Sequence, residues 1–493
     1  MLLSKLLNIN GLIIPESIKD FEVQGLSLDS RDVHRGFIFF SIKGSKANGR
    51  QFVDQAVSNG AELIIAESVY QKDYDGVENI IFVDKIRKVM AEISSSYYRN
   101  PSKEVKVIGI TGTNGKTTIS YIIKSILEGA GFKCGLLGTI SYITGETKAE
   151  TARLTTPDSI ELNKMLAEMV DNKIDYCIME VSSIALTNYR VHNIEFDTAI
   201  FTNLTSEHMD LHINMDNYFE AKKMLFDNLK NGDLAISNSD DIYGIKILNN
   251  CSGLKKLYSI NGNSDLQAHD INIKLDGLKF SIKHDDKNYN VESTLTGRFN
   301  IYNLLAAILF GLEKKISIET ILYSVNTFQA AKGRFNRTML PNGACAIVDY
   351  SHTSDSLKNA IEAAVEIRNI GFSKGRVITI FGCGGDRDKT KRSVMGEIAA
   401  DLSDVVIITS DNPRTEDPED IVKDILVGIK EKNNYLVEIN REKAIKKGLS
   451  MSRKGDIILV CGKGHETYQE INGVKSHFDD QEIITNNIDS VST

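Results

Sequence analysis

The chain contains no tryptophan, has only six prolines in 493 residues, and carries six cysteines that stand singly. Those cysteines, Cys134, Cys177, Cys251, Cys345, Cys383 and Cys461, form no CxxC pair. The usual zinc and dithiol patterns are therefore missing, and buried free thiols are expected. No apolar run is long enough for a membrane span, and the opening MLLSKLLNINGLIIPES is too broken by Asn and Gly for a signal segment. A cytoplasmic location is expected. No basic block offsets the formal charge of −8, which argues against sequence-independent nucleic-acid binding. What is present is an ordinary globular composition, 42% hydrophobic and 25% charged. At this length, about three domains are expected.

The most informative stretch is VKVIGITGTNGKTT, from Val105 to Thr118. An apolar strand runs into a glycine-rich turn that ends in lysine and two threonines, the build of a phosphate cradle. Gly112 and Gly115 permit positive φ, so successive N–H groups can converge on phosphate oxygens. Lys116 adds a mobile cation, Thr117 a hydroxyl suited to Mg²⁺, and the following helix its positive dipole end. The spacing is compressed: Ile110 stands where the common phosphate loop has its first glycine. Ile119, Ile122, Ile123, Ile126 and Leu127 give the next run helical periodicity.

Residues 1 to about 100 read as a small α/β unit, with GFIFFSIKG as a strand and QFVDQAVSNGAELIIAE as helix, turn and strand. Later strands each end in a polar cluster. KIDYCIMEVSS runs out at Glu180, an acid well placed for Mg²⁺ beside a phosphate loop. EFDTAIFTNLTSEHMDLH delivers His208, Asp210 and His212, a spacing that suits a metal. In the helix NYFEAKKMLFDNL, Lys222 and Lys223 read as a solvated pair, and nothing in the residues separates them. Asn300 and Asn303 open the apolar helix after GRFN, where amides either bond a purine edge or cap the helix. From about Arg334 a third α/β series begins, with GRVITIF, DVVIITS and GDIILVC as strands. Arg387 breaks GxGxxG in GCGGDR, so a dinucleotide fingerprint is rejected; Arg387 and Arg414 instead suit carboxylates or phosphates.

Taken together, GTNGKTT, MEVSS, FTNLTSEHMDLH, AKKMLF, GRFNIYNLLAA, VDYSHT, FGCGGDRDKTKR, DNPR and GKGHETYQ, with LDSR at 28–31, closely resemble the Mur ligases. The likeness covers nearly the whole chain and is strongest to the tripeptide-forming branch. It implies an α/β protein of three domains. Residues 1–100 would form a small N-terminal α/β domain for the UDP moiety, and 101–332 a central P-loop ATPase domain with a mainly parallel sheet. Residues 333–493 would form a Rossmann-like C-terminal domain for the incoming amino acid.

The implied reaction is ATP-dependent: the D-glutamate γ-carboxylate of UDP-MurNAc-L-Ala-D-Glu is phosphorylated, and the amine of a diamino acid displaces phosphate. By family correspondence Lys116, Glu180, His208 and Lys222 are catalytic. Mg²⁺ falls to Thr117, Glu180, His208 and Lys222, the last as a carbamate. ATP falls to Gly112, Thr113, Asn114, Gly115, Lys116, Thr117, Thr118, Asn300, Arg334 and Asp349. The UDP-muramoyl dipeptide falls to Leu28, Ser30, Ser45, Lys46, Ala47, Thr155, Thr156, Ser182, Asn188 and Arg190. Arg387, Asp411, Asn412, Pro413, Arg414, Gly462 and Glu466 match the amino-acid pocket. DNPR resembles the form that takes meso-diaminopimelate, because an otherwise unpaired Arg414 guanidinium would reject lysine. The chain is expected to act as a monomer. It departs from the family at Ile184, Leu154, Asn188, Ser351 and Ser354. The same ligase using lysine, a folylpolyglutamate synthetase, a P-loop kinase without ligation and a nucleotide-regulated scaffold are the alternatives.

Overall fold

A computed structural model describes residues 1–44, 47–146, 149–207, 209–371 and 374–488. Among them, three sheets built on parallel strands follow one another along the chain. The first runs Gly25–Ser27, Phe37–Ser41, Ala61–Glu67 and Ile80–Val83 in chain order. Its strand FIFFS buries Phe39 and Phe40 on opposite faces, as a sheet covered on both sides requires. The expected helix forms at Val53–Ser58, entered through a 3₁₀ turn at Gly49–Phe52.

The second sheet has a parallel centre in the order Leu234–Asn238, Thr198–Phe201, Lys106–Thr111, Tyr176–Glu180, Cys134–Leu137. Antiparallel strands extend it at both ends, Gly277–His284 with Lys287–Ser293 on one side and Ser141–Ile143 with Ala149–Thr151 on the other. Gly277–His284 alternates cleanly, burying Leu278, Phe280 and Ile282, whereas Ser141–Ile143 and Ala149–Thr151 are only three residues each. The helix Lys116–Gly129 buries Ile119, Ile122, Ile123, Ile126 and Leu127 as its periodicity predicts. Against it lies Arg298–Glu313, apolar on nearly every face and buried accordingly.

The third sheet starts with an antiparallel edge, Asn336–Met339, and continues with parallel Cys345–Asp349, Ile457–Cys461, Val377–Phe381, Val405–Ile408 and Tyr435–Val437. A separate hairpin, Tyr468–Ile471 and Val474–His477, follows its last parallel strand. One apolar cluster runs from Ile108 in the second sheet to Leu459 in the third. The first sheet keeps its own clusters, one from Leu3 to Ile93 joined by Ile160 and one on its other face from Val33 to Tyr74.

Candidate functional site

The carboxyl ends of the second and third sheets open into one cleft of about 1640 Å³. Loops after Thr111, Glu180, Phe201, Asp349, Phe381, Ile408 and Cys461 all contribute lining residues, the edge where open α/β sheets hold ligands.

The phosphate loop needs glycine for steric reasons. Gly112 has φ +144°, and a Cβ there would sit 1.9 Å from Thr202 Oγ1; at Gly115, φ +90°, it would sit 2.5 Å from Asn303 Oδ1. Lys116 folds over the loop and donates to Gly112 O at 2.9 Å and Thr113 O at 2.8 Å. Burial lowers its pKa. Thr117 Oγ1 donates to Glu180 Oε2 at 3.0 Å, and Glu180, 1% exposed, also accepts from Thr139 N at 3.0 Å and Thr139 Oγ1 at 2.9 Å. These hard oxygen donors fit Mg²⁺.

The third sheet reaches into this loop. Arg334 Nη2 donates to Thr117 Oγ1 at 2.8 Å, and Asn114 Nδ2 donates to Asp355 Oδ2 at 2.8 Å. Asp349 accepts from Phe335 N at 2.8 Å and Ser351 N at 2.9 Å, and burial raises its pKa. The Arg334 guanidinium lies 4.8 Å from the Tyr350 ring centroid, and His465 packs on that ring at 4.8 Å. Asn300 spends its amide inside the protein, donating to Thr296 O at 2.7 Å and accepting from Asn303 at 2.9 Å. It does not cap the helix, whose N-cap is Gly297, and it lines the cleft with one amide N–H and one oxygen lone pair beyond these two bonds.

The two adjacent lysines are not solvated. Lys222 is 1% exposed and Lys223 8%. Lys223 pairs with Asp227, whereas Lys222 Nζ donates to Gly112 O at 2.9 Å and lies 4.5 Å from the Tyr218 ring centroid. Burial first, and Lys116 next, push the Lys222 pKa well below the ordinary lysine value. A neutral buried amine is the form that adds CO₂. The structure thus separates two residues that periodicity leaves equivalent.

His208 lies outside the described residues, as do Ser45 and Lys46. His212 Nε2 is 2.9 Å from Ser183 Oγ, and its ring stacks on Tyr218. Among the described residues no trio of His, Cys, Asp or Glu is assembled for a metal.

Thr155 and Ser182 line the cleft. Thr156 supports them from behind: its Oγ1 donates to Glu180 O at 2.8 Å, and its carbonyl accepts from Arg190 Nη1 at 3.0 Å. Asn188 ends the short helix Ser183–Thr187. Leu28, 43% exposed, Ser30, bonded to Gln55 Oε1 at 2.7 Å, and Ala47 belong to the first unit and are not among the lining residues.

At the far end of the cleft, Arg387, Asp411, Asn412, Arg414, Gly462 and Glu466 come together, and Pro413 is not among the lining residues. Asn412 Nδ2 donates to Glu466 Oε2 at 2.8 Å, while its Oδ1 accepts from Lys463 Nζ and Glu470 N, each at 3.0 Å. Arg414 is not unpaired, contrary to the expectation: Nη1 donates to Gly385 O at 2.7 Å and Nε is 3.7 Å from Glu470 Oε2. Buried Arg392 forks onto Glu416 at 2.9 and 3.0 Å, holding that carboxyl down to about 2, and braces the same loops.

Thr139, Tyr350, Asp355, Lys463 and His465 were not expected here. GKGHETYQ and VDYSHT contain three of them, so those motifs carried an unused signal. Thr139 and Asp355 have none, because only tertiary packing brings them to Glu180 and Asn114.

Three family models match the chain: Mur ligase family catalytic domain at residues 22–98, Mur ligase middle domain at 110–311, and Mur ligase glutamate ligase domain at 333–464. A Clostridium botulinum protein named UDP-N-acetylmuramoyl-L-alanyl-D-glutamate–2,6-diaminopimelate ligase is 44% identical over 471 residues, 94% of each chain. A Fusobacterium nucleatum protein of the same name is 42% identical over 472 residues, 94% of this chain and 93% of its own. A solved structure with that name is 31% identical, covers 97% of this chain and 99% of its own, and has a TM-score of 0.65.

Proposed function

The chain belongs to the Mur ligase family, and from that premise we propose that it is an ATP-dependent ligase joining meso-2,6-diaminopimelate to the D-glutamate γ-carboxylate of UDP-MurNAc-L-Ala-D-Glu. The observation that carries this is a single cleft lined by both the phosphate loop at Lys116 and the DNPR loop at Arg414. In this assignment residues 1–100 take the UDP moiety, 101–332 the ATP and 333–493 the amino acid.

A carboxylate is a poor electrophile. Its oxygen attacks the γ-phosphorus of ATP, the bond to ADP breaks, and an acyl phosphate forms. The diaminopimelate amine then attacks the acyl carbon; the tetrahedral species expels phosphate and the amine loses its proton. Lys116 and Arg334 meet charge that develops on the transferred phosphoryl oxygens, a term worth several kcal/mol in such reactions. Thr117 and Glu180 are the described residues that would hold Mg²⁺, with Lys222 contributing as its carbamate. When bound, that ion would neutralise phosphate charge.

At the other end, Arg414 would take the distal carboxylate and Glu466 an ammonium of the amino acid. Asn412 is oriented for this by Lys463 and Glu470 N, which fix its amide with Nδ2 outward to Glu466. Thr155, Ser182 and Arg190 would face the muramoyl peptide, and Leu28, Ser30, Ser45, Lys46 and Ala47 the UDP. Among the described residues no helix is long and apolar enough to cross a membrane.

Phosphate release tests the assignment. It should require both the UDP-muramoyl dipeptide and diaminopimelate; release with ATP and dipeptide alone at the full rate would indicate a kinase or NTPase. Equal use of L-lysine would sink the diaminopimelate assignment.

A further inference from the structure

Glu470 sits on the hairpin Tyr468–Ile471/Val474–His477, which is stitched to the DNPR loop by backbone bonds. Arg414 N donates to Glu470 O at 3.0 Å and Asn472 N to Arg414 O at 2.6 Å, while Gln469 Nε2 donates to Asp411 O at 2.7 Å. Their combined effect is to hold the Glu470 carboxylate 3.7 Å from Arg414 Nε. Arg414 lines the cleft and Glu470 does not, so the carboxylate meets the guanidinium from the side away from the ligand space. Its cross-strand partner Lys475 rests 4.2 Å from the Tyr468 ring centroid, and Lys463 Nζ is spent on Asn412 Oδ1 and Glu466 Oε2. The Arg414 and Glu470 side chains are 21% and 24% exposed, so the pair is screened but not fully solvated.

We infer that Glu470 is a specificity-determining residue: a resident carboxylate that partly neutralises Arg414 and thereby weakens the preference for a ligand with a distal carboxylate over one without it. The inference rests on the ligase assignment above. A guanidinium with no counter-charge gains most from an incoming carboxylate and loses most when lysine leaves it bare. With Glu470 beside it, the incoming carboxylate is repelled and the bare state is relieved. Both effects narrow the gap between the two amino acids. The guanidinium keeps anchors that do not depend on this charge, since Nη1 donates to Gly385 O and Arg414 N to Glu470 O.

The test uses the full chain with ATP, the UDP-muramoyl dipeptide, and either meso-diaminopimelate or L-lysine. E470Q keeps the shape and removes the charge. Its KM for diaminopimelate should fall about threefold, the ratio of kcat/KM for diaminopimelate to lysine should rise by at least that factor, and the effect should shrink at high salt. E470D, which keeps the charge, should stay near the wild-type ratio. A raised diaminopimelate KM, or an unchanged ratio, in a folded E470Q enzyme overturns the inference while wild-type ligation of diaminopimelate leaves the ligase assignment standing. A wild-type chain that does not ligate diaminopimelate overturns that assignment and the inference with it.

Discussion

Arg334 crosses 217 positions of chain to donate a hydrogen bond to Thr117 Oγ1 at 2.8 Å. The same guanidinium lies over Tyr350, so one side chain ties the third sheet to the phosphate loop. R334A should therefore lower kcat/KM for ATP about tenfold or more, the loss expected for one charge-assisted hydrogen bond. R334K, which keeps charge without the fork, should recover only part of it. Steady-state kinetics with varied ATP checks both.

Lys222 and Lys223 should behave differently despite adjacency. K222A should abolish most activity, about a hundredfold or more, because a buried amine over the phosphate loop has no substitute. K223A removes only a pair between a buried lysine and the partly exposed Asp227, and should cost about 1–2 kcal/mol of stability with little loss of turnover. Turnover in CO₂-depleted buffer, restored by bicarbonate, checks the wild type; an activity indifferent to bicarbonate would speak against the carbamate.

His465 gives a pH signature. Burial, with Arg334 second, lowers its pKa to about 3, and Nδ1 has no hydrogen-bond partner among the described residues. The folded state thus binds fewer protons than the unfolded one between about 3 and the ordinary histidine value near 6.5. Stability from this group is therefore present at neutral pH and lost on acidification through that window, by about 1.4 kcal/mol per unit at most. H465N should flatten the slope of stability against pH there, measured by denaturant titration from pH 4 to 7.

Gly333 has φ +69°, and a Cβ at that position would lie 2.1 Å from Gly464 C and from His465 N. Backbone on the facing side cannot swing away as a side chain would. G333A should cost about 2 kcal/mol or more and separate GKGHE from the Arg334 segment. Lower Tm together with weaker ATP use is the expected pair of results.

R414A bears on substrate choice. It should cut kcat/KM for diaminopimelate about a hundredfold while changing lysine far less, since only the former has a carboxylate to lose. A parallel loss with both amino acids would place Arg414 in a structural role.

Much of this architecture is legible in the residues, because strands ending in Gly-Lys, Glu180, Asp349 and DNPR announce a ligand edge by local pattern alone. Periodicity also predicts the helix Lys116–Gly129, whose apolar stripe meets a fully apolar neighbour. Local pattern is silent on partners distant in sequence. It leaves Lys222 and Lys223 equivalent until Gly112 O and Asp227 claim one each. It leaves Arg414 unpaired, since Glu470 arrives only when the hairpin docks on the DNPR loop. The antiparallel extensions of the central sheet escape notice for a related reason: Leu278, Phe280 and Ile282 alternate as a strand should, but nothing local says which strands they pair with.

The apolar cluster that runs unbroken from Ile108 to Leu459 has a calorimetric consequence. Two sheets that share a core have no dry seam along which they could melt apart, so they should unfold as one cooperative block. The first sheet, with its separate clusters, one of them fastened through Ile160, is free to melt on its own. Heating should then resolve two transitions, and ATP, which addresses only the larger block, should move one and leave the other in place.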